Sequence, residues 1–295
     1  MGKYSTKDLA TLSGIKAHTI RIWEQRYGII TPDRTDTNIR SYCDSDLKKL
    51  LNIAMLNNHG LKISKISKLS DEDLSLEVQR LGESKADYPV QIDRLIVAMV
   101  DLDRSNFEGI LAECTEAMGF EETCINVLYP LLHKIGVMWR ASSISPAQEH
   151  FISSLIIQKM YAATDKLYSS ESKVKGKKVI FFLREGEFHE MGLLFFRYLM
   201  EKRGFDTIYL GQSVPFEDIQ QTVSAHNPEY LVTAFVASPA DGFTESYLKQ
   251  LSKSFPKLKV VVSGYQISQL DKKFPKNIIK IDDATQFLAY VEGLN

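Results

Sequence analysis

The spacing of apolar residues changes along the chain, and this change restricts the possible folds more than any other feature. Between Pro89 and Leu167 apolar side chains recur at i, i+3, i+4 and i+7, which predicts amphipathic helices. From Lys178 onward, short β-branched or aromatic runs alternate with amphipathic stretches, which is typical of a parallel α/β sheet. The expected strands are Val179–Leu183, Thr207–Leu210, Tyr230–Ala237, Val260–Val262 and Ile278–Ile281.

The first 68 residues differ from the rest because basic side chains are in surplus there. Twelve Lys and Arg stand against six Asp and Glu in this segment, whereas the whole chain has a formal net charge of −1. An acidic, apolar-poor stretch at Ser70–Tyr88 and a Ser/Lys/Gly stretch at Ser169–Lys177 are the expected joints. A length of 295 residues favours two or three domains, and the joints predict them at residues 1–75, 88–170 and 176–295.

Composition excludes several classes of protein. With 44% apolar and 25% charged residues the chain is neither disordered nor fibrous, and its longest apolar runs are too short for the about 20 residues that span a bilayer. The first residues lack the apolar stretch of a signal peptide. Cys43, Cys114 and Cys124 are odd in number and have no metal-ligand spacing, so a reducing, cytoplasmic location is expected.

Two short helices separated by a turn at Gly14 are predicted in residues 7–26. On the second helix, Ile20, Trp23 and Tyr27 share the face that is expected to pack in the core. The opposite face is polar and suits insertion into a major groove. The expected DNA contacts on this face are His18, Arg21 and Gln25.

Residues 31–42 combine turn residues with two short arms and predict a β-wing. Its expected phosphate contacts are Arg34, Arg40 and Tyr42. The order helix, turn, helix, wing, helix resembles the MerR family of bacterial transcription regulators over roughly residues 3–75. The matching stretches are Tyr4-Ser5, Thr19-Ile20-Arg21-Ile22-Trp23-Glu24-Gln25-Arg26-Tyr27-Gly28 and Arg40-Ser41-Tyr42. This resemblance implies a winged helix-turn-helix that binds double-stranded operator DNA; a structural or protein-binding helix-turn-helix is the alternative.

A second pattern follows the first predicted strand of the α/β segment. Glu187-x-His189-x-x-Gly192 is followed after 40 residues by Thr233-Ala234-Phe235 and after 27 more by Ser263-Gly264. Open parallel sheets bind ligands beyond the carboxyl ends of their strands, which is where this histidine is expected. The pattern resembles the cobalamin-binding fold, whose motif is Asp-x-His-x-x-Gly, then Ser-x-Leu, then Gly-Gly.

The resemblance to the cobalamin-binding fold implies a role for each matching residue. In that family the cofactor's dimethylbenzimidazole leaves cobalt and lies in a slot beside a Rossmann-like (flavodoxin-like) sheet. His189 is then the expected lower axial ligand of cobalt, and Glu187 orients its imidazole through a hydrogen bond. Gly192 allows close approach of the nucleotide loop, Thr233 offers its hydroxyl along the slot, and Gly264 leaves room at its base.

Every block of this pattern departs from the family motif. The chain has Glu187 where the motif has Asp, Thr233 where it has Ser, Phe235 where it has Leu, and Ser263 where it has the first Gly. A carboxylate on the longer Glu side chain still accepts a hydrogen bond from an imidazole N–H. The ring of Phe235 is expected to narrow the slot. The alternative is a flavodoxin-like domain that has kept the fold and lost the cofactor.

Between the two segments, Trp139 is followed by nine residues and then by Glu149 and His150. This spacing, ahead of a cobalamin-type domain, resembles the CarH/LitR group of light-responsive MerR-type repressors. It implies a four-helix bundle that covers the upper face of the corrin. These three residues would then contact the upper axial 5′-deoxyadenosyl group. The alternative is that Trp139 belongs to the core of the bundle and that His150 is a helix histidine whose hydrogen bonds are satisfied within the protein.

The resemblances together imply a multidomain transcription repressor that uses adenosylcobalamin, or methylcobalamin, as its cofactor. In darkness a dimer or tetramer would bind the operator, and light would break the cobalt–carbon bond and release the DNA. A regulator whose C-terminal domain binds no corrinoid, and contacts a protein or another ligand, is the alternative. An enzyme related to corrinoid methyltransferases is not expected, and no catalytic residues are predicted, because residues 1–75 are assigned to DNA.

Overall fold

The fold was examined in a computed structural model that describes residues 4–34, 38–82, 87–140, 144–168, 176–237, 242–271 and 273–294. The chain forms two compact units, Met1–Ser154 and Leu155–Asn295. The predicted DNA-binding segment and most of the predicted helical segment thus lie in one unit. The division into three domains at the stated boundaries stays a prediction.

The first unit is built from helices and one small antiparallel hairpin within the described residues. Its helices are α1 (Thr6–Ser13), α2 (Ala17–Tyr27), α3 (Asp44–Asn58), α4 (Ile63–Ile66), α5 (Asp71–Gly82), α6 (Tyr88–Val100), α7 (Arg104–Met118), α8 (Phe120–Thr123), α9 (Tyr129–Arg140) and α10 (Pro146–Tyr168), the last of which continues into the second unit. A π-helical turn, Cys124–Leu128, joins α8 to α9. The hairpin strands are β1 (Asp33–Arg34) and β2 (Arg40–Ser41).

The helix-turn-helix begins at a capping box. The Ser5 hydroxyl accepts a hydrogen bond from the backbone N–H of Asp8, whose carboxylate accepts one from the backbone N–H of Ser5 at 2.7 Å. Gly14 ends α1 in the left-handed region at φ 72°, where a residue without Cβ is favoured. On α2, Ile20 and Trp23 are buried. The predicted order of helix, turn and helix is confirmed.

The predicted joint at Ser70–Tyr88 contains a helix of three turns, α5. Leu74 and Val78 lie on one face of α5 and are buried, and α5 packs against α3. The Ser70 hydroxyl accepts a hydrogen bond from the backbone N–H of Asp73 at 3.1 Å. Two apolar positions four residues apart are enough to bury one face of a short helix, so a low apolar content does not identify a linker.

The second unit contains a five-stranded parallel sheet, which confirms the predicted α/β class. All five predicted runs form strands: β3 (Lys178–Arg184), β4 (Asp206–Val214), β5 (Tyr230–Ala234), β6 (Lys259–Ser263) and β7 (Ile278–Lys280). The helices that follow them are α11 (Met191–Lys202), α12 (Phe216–His226), α13 (Phe243–Ser254), α14 (Tyr265–Ser268) and α15 (Ala284–Glu292). No described helix is long and apolar enough to cross a membrane.

The strand order β4-β3-β5-β6-β7 places β3 in the interior of the sheet. On one face, Ile180 and Phe182 of β3 join an apolar cluster with Leu248 and other residues of α12 and α13. On α11, Phe196 stacks on Phe287 of α15 with ring centroids 3.8 Å apart. The chain leaves β3 toward β4 on one side, and β5 lies on the other, so the carboxyl ends of β3 and β5 form a topological switch point.

Candidate cofactor site and DNA-binding surface

A buried carboxylate holds the two loops of the switch point together. Glu187, in the loop after β3, is fully buried. Its Oε1 accepts hydrogen bonds from Nδ1 of His189 at 2.5 Å and from the His189 backbone N–H at 3.2 Å. Its Oε2 accepts from the backbone N–H groups of Val236 and Ala237, both at 2.9 Å, in the loop after β5. One side chain therefore orients the histidine and fixes the loop opposite.

These hydrogen bonds decide the charge of Glu187. Burial alone would raise the pKa of this carboxyl, but hydrogen bonds from His189 and from the backbone of Val236, Ala237 and His189 outweigh it and lower the pKa to about 2. The group is ionised at neutral pH and accepts hydrogen bonds only. Because the ionised carboxylate contacts Nδ1 of His189, we assign the proton to Nδ1 and the lone pair to Nε2. The side chain of His189 is 60% exposed. The ring therefore suits metal ligation through Nε2.

Thr233 lies in the middle of the same region and has a buried hydroxyl. The residue is fully buried on β5, and its Oγ1 has no hydrogen-bond partner in the described part of the chain. An unpaired buried hydroxyl is costly, so this atom suits an acceptor or donor on a ligand. Gly192 lies in the first turn of α11, directly after the histidine loop.

Gly264 is explained by packing inside the protein. At φ 104° a Cβ on this residue would lie 2.5 Å from the backbone O of Phe235, so only glycine permits the close approach of the two chains. The backbone N–H of Phe235 donates to the carbonyl of Ser263 at 2.9 Å. This reason differs from the predicted one, which was space for a cofactor. The Phe235 ring is buried and meets Tyr247 edge-on at 5.8 Å, so it fills the core beside α13.

The predicted lid residues lie at the end of α9 and the start of α10. Trp139 is 48% exposed, so the alternative that it belongs to the core is wrong. Glu149 Oε2 lies 2.7 Å from Nδ1 of His150, and Ser153 donates to its other oxygen at 2.6 Å. The structure thus brings the predicted Glu and His together on one surface. Residues 141–143, between the tryptophan and this pair, lie outside the described residues.

The predicted DNA-contacting face of α2 is exposed. His18, Arg21 and Gln25 all point to solvent, at spacings that place them on one side of the helix. Ile22, between them, is 50% exposed. A polar face with one apolar side chain suits the edges of base pairs in a major groove.

The hairpin is held to α2 by a carboxylate that the sequence did not single out. Glu24 Oε2 accepts hydrogen bonds from Nε of Arg40 at 3.0 Å and from the hydroxyl of Tyr42 at 3.2 Å. Arg34 Nη2 lies 4.0 Å from the other oxygen of Glu24, and its Nη1 donates to Asn38 at 2.6 Å. Of the wing arginines, Arg34 has the more exposed side chain.

This arrangement corrects one predicted DNA contact. Tyr42 is 2% exposed, and its backbone exchanges two hydrogen bonds with that of Tyr4, at 2.8 and 2.9 Å. Its hydroxyl is therefore used inside the domain, and the interpretation that it reaches a phosphate is wrong. The contact with Glu24 was missed because a lone acid on a basic face carries no periodic signal in the sequence.

Family models match all three segments of the chain. Residues 4–73 match the MerR HTH family regulatory protein, and residues 91–164 and 177–288 each match a B12 binding domain. The second of these B12 models coincides with the parallel sheet, and the first with helices α6 to α10.

Two curated relatives are similar over most of the chain. The HTH-type transcriptional repressor CarH of Myxococcus xanthus is 31% identical over 268 residues, which are 88% of this chain and 88% of that protein. The HTH-type transcriptional repressor CarA of the same organism is 26% identical over 88% of this chain and 85% of that protein. A structure of the Methanosarcina barkeri monomethylamine corrinoid protein superimposes with a TM-score of 0.55 at 17% identity, over 70% of this chain and 98% of that chain, which shows similarity of fold.

Proposed function

The chain belongs to the CarH-like family of transcriptional repressors, with a MerR-type DNA-binding domain and B12-binding domains, and from this premise we propose that it is a light-dependent repressor. Adenosylcobalamin is the proposed cofactor. In darkness an oligomer of the loaded protein binds operator DNA, and illumination releases it. Such a switch requires the loaded and illuminated protein to favour different assembly states.

The observation that carries this proposal is the pair formed by Glu187 and His189. An ionised, buried carboxylate on Nδ1 raises the basicity of Nε2 and holds the ring in one orientation, as metal-ligating histidines require. Nε2 of His189 is proposed to ligate cobalt from below. The unpaired hydroxyl of Thr233 fits a cofactor whose nucleotide enters the sheet at this edge. When bound, adenosylcobalamin supplies a cobalt–carbon bond that light breaks.

The bundle residues are proposed to contact the upper axial group. The exposed indole of Trp139 offers an apolar surface, and the adjacent side chains of Glu149 and His150, 2.7 Å apart, offer polar contacts. The same residues would lose these contacts when the upper group leaves. A change at the bundle is therefore the proposed link between light and assembly.

On the DNA side, His18, Arg21 and Gln25 are proposed to contact base edges. Arg34 is proposed to contact phosphate, because its guanidinium is the exposed one on the wing. The guanidinium of Arg40 is held by Glu24, and its proposed role is to position the wing on α2.

The test is an absorption spectrum of the full chain loaded with adenosylcobalamin in the dark, recorded before and after green light. Gel filtration and a mobility-shift assay with operator DNA are run on the same samples. We expect a coloured protein, a spectral change on illumination and loss of the oligomer–DNA complex. A protein that stays colourless favours the regulator without a corrinoid.

His189→Ala tests the ligand within this experiment. It is expected to abolish or greatly weaken corrinoid binding while leaving the apoprotein folded, with its thermal unfolding temperature lowered only by loss of the Nδ1 hydrogen bond to Glu187. His226→Ala, an exposed histidine at the end of α12, is the matched control. Equal spectra and affinities for His189→Ala and wild type would contradict the assignment.

A further inference from the structure

A buried arginine at the carboxyl end of β3 has no counter-charge among the described residues. Arg184 is 6% exposed, and its Nη1 donates to the backbone carbonyl of Glu185 at 2.8 Å. Its guanidinium lies over the ring of Phe243, with 4.8 Å from Cζ to the ring centroid. In the described part of the chain its buried Nε has no hydrogen-bond partner and no carboxylate pairs with it. A buried charge without a partner is costly, so this arginine is suited to an anion.

A second unpaired polar atom belongs to the same cluster. Tyr247 on α13 is 8% exposed, and its buried hydroxyl has no hydrogen-bond partner among the described residues. The Tyr247 ring stacks on that of Phe243 at 5.8 Å, so the two aromatic rings connect this hydroxyl to the guanidinium of Arg184. Both polar groups can donate hydrogen bonds, and both lie at the carboxyl edge of the sheet.

The helix that carries Tyr247 begins at this place. α13 has twelve residues and starts at Phe243, and its N-cap Gly242 gives no side-chain hydrogen bond to the first turn. A helix N-terminus carries partial positive charge and favours phosphate. Glu245, the acidic residue of this turn, lines a separate cavity with Lys249 and Lys273. The positive end of α13 thus adds to two buried donors that have no partner among the described residues.

We propose that Arg184, Tyr247 and the first turn of α13 form a phosphate site, and that its ligand is the phosphodiester in the nucleotide loop of cobalamin. This inference rests on the proposed function. Arg184 lies five residues before His189, on the strand that leads into the histidine loop. If His189 holds cobalt and the nucleotide loop enters beside the sheet, Arg184 would bind the phosphodiester of that loop at this edge.

The experiment compares two corrinoids in the dark on the full chain, by visible-absorption titration. Adenosylcobalamin carries the nucleotide loop, and adenosylcobinamide lacks it. For Arg184→Gln we expect affinity for adenosylcobalamin to fall about ten- to hundredfold, as for loss of a charged hydrogen bond, with affinity for adenosylcobinamide within twofold of wild type. An equal loss for both corrinoids, or no loss for either, overturns the site.

Two further variants separate binding from folding. Tyr247→Phe removes only a hydroxyl that has no partner among the described residues, so it should weaken adenosylcobalamin binding several-fold without lowering the apoprotein's thermal unfolding temperature. Arg197→Gln is the matched control, because this arginine is paired with Glu201 at 2.6 Å. It should lower the unfolding temperature and change both corrinoid affinities alike. A Tyr247→Phe protein with the same discrimination between the corrinoids as wild type contradicts the proposed role of the hydroxyl.

Inorganic phosphate distinguishes the nucleotide loop from a separate phosphorylated molecule. At matched ionic strength, phosphate should raise the unfolding temperature of the apoprotein, and not that of Arg184→Gln or of protein saturated with adenosylcobalamin. Phosphate that stabilises the saturated protein as much as the apoprotein assigns the site to a separate ligand and overturns the proposal. Wild type that binds neither corrinoid defeats the proposed function and this inference together. Wild type that binds both, with Arg184→Gln unchanged, defeats the inference alone.

Discussion

Two carboxylates organise the two functional regions, and they do so in different ways. Glu187 is fully buried and accepts hydrogen bonds from an imidazole and from four backbone N–H groups, those of Phe188, His189, Val236 and Ala237. Glu24 holds the wing through side chains alone, chiefly that of Arg40. Backbone donors cannot leave without moving the chain, whereas a guanidinium can rotate toward another anion. The cofactor site is therefore expected to be rigid and the wing adaptable.

The strongest test of this contrast is Glu187→Gln. The pKa of the Glu187 carboxyl is lowered from 4.5 to about 2, which corresponds to about 3 kcal/mol of stability at neutral pH. Because the pKa of Glu187 is lower in the folded protein than in the unfolded chain, its carboxylate stabilises the fold at pH values above about 4.5. This contribution is lost as the pH falls from about 4.5 toward 2. Denaturant unfolding should show wild type more stable than the variant at pH 7, and this difference should be about 2 kcal/mol smaller at pH 3.

Glu185→Gln is the matched control, since Glu185 is exposed two residues away. It should behave as wild type at both pH values. A stability difference between wild type and Glu187→Gln that stays the same from pH 7 to pH 3 would show that the carboxylate charge is not what holds the two loops.

On the wing, Arg34→Ala should reduce operator affinity about tenfold on specific and unrelated DNA alike. It should also reduce the slope of log K against log salt by about one, because one phosphate contact is lost. Fluorescence anisotropy at several salt concentrations measures both quantities. Arg104→Ala, an exposed arginine on α7, is the control and should change neither. An unaltered salt slope in Arg34→Ala would show that Arg34 does not contact a phosphate.

Arg40→Ala should reduce affinity less, about fivefold, and should leave the salt slope unchanged, because this guanidinium is bound to Glu24. A double-mutant cycle with Glu24→Gln sharpens the point. Arg40→Ala should reduce DNA affinity by a smaller factor in the Glu24→Gln background than in wild type, since the two side chains form one contact. A slope that falls by one in Arg40→Ala would mean that the guanidinium leaves Glu24 for a phosphate when DNA binds.

The smallest effect is expected from Tyr42→Phe. Loss of the hydrogen bond to Glu24 should reduce stability by about 0.5–1 kcal/mol, while DNA affinity stays within twofold of wild type. Tyr4→Phe, which removes a similar bond to Asp44, is the control for a hydroxyl away from the hairpin. A tenfold loss of DNA affinity in Tyr42→Phe would restore the phosphate contact that the structure argues against.

Short-range patterns in the sequence predicted the five strands, and the resemblance to the cobalamin-binding motif implied the pairing of Glu187 with His189. The sequence did not predict the contacts to Val236 and Ala237, since backbone donors are the same in every residue and only the fold brings them together. Tyr42 was misplaced for a related reason. A strand of two residues is too short to show which of its neighbours faces inward, so alternation could not assign the side of the wing.

The close approach at Gly264 bears on how such domains are recognised in other genomes. Its missing Cβ is required by the backbone of Phe235 whether or not a corrinoid is bound. A homologue that no longer binds cobalamin would still need this glycine in order to fold. The acid of the loop after β3 would also be retained, because it binds the backbone of Val236 and Ala237, whereas the histidine would be under less constraint because its imidazole is exposed. For sorting pigmented members from colourless ones, the glycine and the acid are therefore poor diagnostic characters and the histidine is a better one.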